Sequence, residues 1–135
     1  MLVAVQPGMS LTPGRGRLDP FDLAVEGGIV CVTMHGHVEW PQSSEALARA
    51  TALARTARTG KLLFDIREAD HPDFHGLVLR HAESAPELVR QGLRIAVLGL
   101  EGDRILDFID DVATNRAVPA KSFTQKDAAL AWLGA

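Results

Sequence analysis

The stretch Leu62-Leu63-Phe64-Asp65-Ile66-Arg67-Glu68-Ala69-Asp70-His71-Pro72-Asp73-Phe74-His75-Gly76-Leu77 decides the fold. An apolar run from Lys61 to Ile66 lacks the alternation of a half-exposed strand, which predicts a strand covered on both sheet faces. It ends in charge, passes an Asp-His-Pro turn and opens a helix. That helix presents Phe74, Leu77, Val78 and His81 along one side, at helical spacing. Ser84-Ala85-Pro86-Glu87 then reads as a new helix start, so two short helices follow the strand.

Working upstream, Phe21 to Glu26 alternates with Phe21, Leu23 and Val25 on one face, and Ile29 to Met34 runs apolar. Gly27-Gly28 between them predicts a β-hairpin. His35 to Trp40 reads as an exit loop, and Pro41 with Ser43-Ser44 as a helix start. Leu47, Ala50, Leu53 or Ala54, and Ala57 form a mostly alanine inner face, with Gly60 placed to cap the helix C-terminus. Downstream, Arg94 to Leu98 is a second covered strand. Asp103 can cap the clearest amphipathic helix, whose stripe is Ile105, Leu106, Phe108, Ile109, Val112 and Ala113. A short strand within Val118 to Phe123 and a helix beginning at Thr124 or Gln125 complete the order.

The order β-β-α-β-α-β-α-β-α predicts an α/β fold. A mainly parallel five-stranded sheet is flanked by about four helices, with the first strand antiparallel at an edge. Residues 1–20, broken by Pro7, Gly8, Pro13, Gly14, Gly16 and Pro20, read as a partly irregular N-terminal arm, and residues 21–135 as the domain.

The totals narrow the function classes. The 135 residues suit one domain with its own core, and 47% hydrophobic with 23% charged residues is ordinary for a globular protein. A net charge of -3 with mixed signs, and no tyrosine, argues against a nucleic-acid surface. No apolar stretch reaches the roughly 20 residues that span a bilayer. No basic leader precedes Leu2 to Val5, so a cytoplasmic location is expected. The single Cys31, in an alternating strand, reads as a small buried hydrophobe.

This layout, with Leu63-Phe64-Asp65-Ile66 ending a strand and Asp73-Phe74-His75-Gly76-Leu77 opening a helix, resembles the STAS superfamily. That superfamily includes bacterial anti-sigma-factor antagonists and sulfate-transporter cytoplasmic domains. The tail, from Arg94-Ile95-Ala96-Val97-Leu98 to Ala128-Ala129-Leu130-Ala131-Trp132-Leu133, is similar to its SpoIIAA-like, STAS/SEC14-like branch. In the antagonists the matching segment reads roughly Asp-Leu-Ser-Gly-Val-x-x-x-Asp-Ser-Ser-Gly-Leu, with a phosphorylated serine at the helix start. Asp65, Asp73 and Gly76 fall on the aspartates and the glycine; Phe74 and His75 fall on the serines. Phenylalanine offers no oxygen to phosphorylate, so the resemblance implies the scaffold without the kinase switch.

Three functions are weighed on this basis. A non-enzymatic STAS-like regulatory or interaction module, with a protein partner or as a homodimer, needs no cofactor. A small carrier or sensor of an apolar, lipid-like ligand would place a greasy pocket near Trp40 and Phe74. A metal-dependent hydrolase would use His71 and His75, four apart, with His35 or His37. No HExxH, GxSxG or P-loop motif accompanies them. The residues expected to contact a ligand or partner are His37, Trp40, Arg67, Asp70, His71, Phe74 and His75.

Overall fold

Two glycines with positive φ, Gly27 (60°) and Gly28 (78°), make the tight turn between strands β1 (Phe21–Glu26) and β2 (Ile29–His37). Their backbone twist matches that of an antiparallel pair, and few other residues adopt it without strain. The structure, a computed structural model, describes residues 21–70 and 74–134. The N-terminal arm and His71, Pro72 and Asp73 lie outside the described residues.

After the hairpin come helix α1 (Trp40–Ala57), strand β3 (Lys61–Asp70), helices α2 (Phe74–Ala82) and α3 (Ala85–Arg90), and strand β4 (Arg94–Leu98). Helix α4 (Ile105–Arg116), strand β5 (Ala120–Phe123) and helix α5 (Lys126–Leu133) follow. The strands lie in sequential order, β1 antiparallel to β2 and the rest parallel. The α/β class, the edge hairpin and the division of α2 from α3 are therefore as expected. Among the described residues, no helix is long and apolar enough to cross a membrane.

Sequential order has a consequence for layering. Right-handed crossovers that all step the same way put their helices on one face of the sheet. Alternation along each strand then sorts the core. Leu23, Val30, Val32, Leu62 and Ile95 meet α1 and its neighbours, while Ile29, Leu63, Ala96 and Leu98 meet Ala129 and Leu133 of α5. Helix α5 follows the last strand, free of the crossover rule, and covers the opposite face of β3, β4 and β5. Asp110 of α4 ties that helix to the edge: its carboxylate accepts from the Ser122 backbone N–H and hydroxyl, both at 2.8 Å.

Four local expectations are corrected. Strand β2 runs past Met34 to His37, and β3 runs past Ile66 to Asp70. His35, Gly36 and His37 pair with Glu68, Ala69 and Asp70 across a bulge that places one extra residue in β3. The bulge returns Ala69 to the helix face beside Ile66, while Arg67, Glu68 and Asp70 face water. Consequently only the first half of β3 is covered on both faces. Trp40 is not in a loop but opens α1, where the Gln42 side chain accepts from the Glu39 backbone N–H at 3.1 Å. Gly60 does not cap α1; Arg58 does, with φ 57° and ψ 48°.

Candidate functional site

Helix α2 leans on α4 and α1 rather than on the sheet beneath it. Its Phe74 and Val78 meet Ile105, Leu106 and Ile109 of α4. Because α2 stands off, the sheet below is not sealed. Leu62 is fully buried, whereas Phe64, Ile66 and Val97 on the same face keep some exposure. The result is a cavity of about 130 Å³ between the sheet and the helices.

Its walls are apolar. Met34, Phe64, Ile66, Ala69 and Val97 supply the sheet side, Leu47 the α1 side, and Leu77, Val78 and Ala82 join Phe74 on α2. Ile109, Val112 and Ala113 close it from α4. Among the described residues, two polar side chains line it, Ser43 of α1 and His81 of α2. They are hydrogen-bonded to each other, Ser43 Oγ to His81 Nε2.

Outside the pair sits Trp40, its ring centroid 4.8 Å from that of His81, with the Arg80 guanidinium 4.0 Å above the indole. Burial disfavours the charged imidazole, and the Arg80 charge adds to that, so His81 is pulled down to about 4. At neutral pH the pair is uncharged and matches its apolar surroundings.

The residues expected from sequence take different places. Phe74 lines the cavity and Trp40 packs on its polar corner. His75 is exposed and packs on Phe108, ring centroids 4.5 Å apart. His37 is exposed beside Glu39, Nε2 to Oε2 2.7 Å. Arg67 grips the Asp65 carboxylate with two hydrogen bonds, at 3.0 and 2.8 Å. Partial burial works against the Asp65 anion, but the Arg67 hydrogen bonds and charge outweigh it and hold its pKa below the usual carboxylate value. Asp70 faces water, its carbonyl accepting from Val38 N–H at 2.8 Å. His71 lies outside the described residues. His35 sits 3.4 Å from Asp22, apart from His75. Among the described residues, no three His, Cys, Asp or Glu side chains converge as a metal site. Cys31 is half-buried, and burial first, with Glu26 next, pushes its thiol up to about 11, leaving little thiolate at neutral pH.

Ser43 and His81 are the residues that sequence reasoning did not single out. In the sequence Ser43 reads only as a helix start and His81 only as one position of an apolar stripe. A polar ring on such a stripe was the available signal, and its partner lies 38 residues away.

No protein-family model matches the chain, and no curated protein does. Among solved structures, it is similar to an uncharacterized protein of the DUF3478 family with a SpoIIAA-like fold, from Shewanella loihica PV-4. The TM-score is 0.53 at 19% identity, over 84% of this chain and 91% of that one. The chain has a SpoIIAA-like fold. The SpoIIAA-like fold expected from the sequence is thereby borne out. Within the SpoIIAA-like fold, the helix start opened by Phe74 borders the cavity directly.

Proposed function

We propose that this SpoIIAA-like chain is a non-enzymatic module that takes up a small apolar ligand in the cavity between α2 and the sheet. The observation that carries this reading is the apolar cavity beneath Phe74, Leu77 and Val78. Its size decides the class of ligand. Drug-sized molecules occupy roughly 300–1,000 Å³, whereas a cavity of about 150 Å³ accepts benzene. About 130 Å³ therefore suits a single ring or a short chain.

Toluene is a direct probe. It should raise the unfolding temperature of the wild type in a concentration-dependent way, since it binds the folded state alone. Ala113→Leu extends three carbons into the void. Each buried methylene is worth about 0.8 kcal/mol, so the variant should be more stable by roughly 1–2 kcal/mol. It should also lose the response to toluene. A wild type indifferent to saturating toluene would remove the proposal.

Phe74 favours a second, compatible reading as an interaction module. It lines the cavity from the helix start that resembles the regulated position of the antagonists, while His75 beside it is exposed. Filling the cavity would press on Phe74 and change the surface presented to a protein partner or a second copy. Sedimentation with and without toluene should then show a shift in self-association; identical profiles would leave the carrier reading alone.

A further inference from the structure

We propose that Ser43 and His81 form a polar anchor inside the cavity, so that its preferred ligand is a small apolar molecule with a single hydroxyl, of the size of a methylphenol. This rests on the cavity being a ligand site and adds the chemical class of the ligand.

The inference follows from counting hydrogen bonds. A serine hydroxyl has one proton to donate and two lone pairs that accept, and a neutral imidazole has one nitrogen of each kind. If His81 Nε2 is bare, Ser43 donates to it and the serine oxygen keeps its lone pairs. If Nε2 carries the proton, Ser43 accepts and its own proton is left over. Among the described residues, the Ser43 hydroxyl bonds to His81, so in either tautomer part of its capacity is left over beside a cavity whose other described lining is apolar. A hydroxyl both donates and accepts, and so completes the pair whichever tautomer is present.

Other ligand classes fit less well. A hydrocarbon fills the volume but leaves the spare hydrogen-bonding capacity of Ser43 unused. A carboxylate or an ammonium must be stripped of water to enter an apolar cavity. It would meet an imidazole held neutral by burial and by Arg80.

The test is calorimetric titration at pH 7.5 with toluene, p-cresol and 4-methylbenzoate, on wild type, Ser43→Ala and Ser43→Thr, each checked for folding by circular dichroism. In the wild type, p-cresol and toluene both bind and 4-methylbenzoate does not. Ser43→Ala should lower the ratio of p-cresol to toluene affinity by about tenfold, the worth of one buried hydrogen bond. Ser43→Thr, which keeps the hydroxyl, should preserve the ratio. A ratio unchanged in Ser43→Ala overturns the anchor while leaving the cavity reading intact. Preference for 4-methylbenzoate overturns the hydroxyl class. Should none of the three bind the wild type, the cavity reading fails and the anchor with it.

Discussion

Replacing Gly60 with alanine should remove about 3 kcal/mol of folding stability, more than any surface substitution in the chain. A Cβ at that position would stand 2.2 Å from the Gly92 carbonyl oxygen and 3.3 Å from its carbon. The obstacle is backbone, so no side-chain rotation relieves it. Nor can the two loops part freely. The Gly60 carbonyl accepts from Arg94 N–H at 2.7 Å, immediately before Lys61 pairs with Arg94 at the start of the β3–β4 ladder. Urea denaturation checks the expectation, with Gly102→Ala as a comparison. Gly102 has φ of +86° but open space around it, so its alanine variant pays only backbone strain of about 1 kcal/mol. Equal losses in the two variants would show that the contact with Gly92 yields easily.

Lowering the pH from 7 to 5 should destabilise the protein by about 2 kcal/mol through His81 alone. Burial in the cavity wall first, and the Arg80 charge second, bring its pKa from 6.5 down to about 4. In that interval the unfolded chain binds a proton that the folded chain refuses. The stabilising contribution is therefore complete above 6.5 and is lost as the pH falls through 6.5 toward 4. Asp65, held below the usual carboxylate range, adds a loss of the same sign only at more acid pH. His81→Gln removes the titrating group, so its stability at pH 5 and pH 7 should differ by much less. Denaturant midpoints of both proteins across this range decide the matter. A loss undiminished in His81→Gln would place the effect on another group.

These two residues also show how far the chain could be read unaided. The sequence marks Gly60 as a position where glycine matters, but its local pattern points to a helix cap. As a helix cap it would answer to the chain before it, whereas its real constraint is Gly92, in a loop 32 positions away. His81 was correctly placed on the apolar side of α2. What that side faces depends on how α2 leans, which no local pattern records.

By itself, the sequence determined the elements whose causes are local. Gly27-Gly28 makes the hairpin because positive φ is cheap there. The period of two in Phe21, Leu23 and Val25 sends one face of β1 inward, and the period near 3.6 in Ile105 to Ala113 does the same for α4. Strands alternating with helices then leave little choice but a parallel sheet, and from these follow the layers and the SpoIIAA-like fold. The tertiary structure alone decided where β2 and β3 end. Apart from Ala69 and the half-buried His35, their last residues are exposed, so pairing across the bulge, more than burial, keeps them extended. It also decided the cavity and the Ser43–His81 pair inside it. Apolar residues can be counted along a chain, but whether their volumes close the space between a sheet and a tilted helix is a sum over the whole fold.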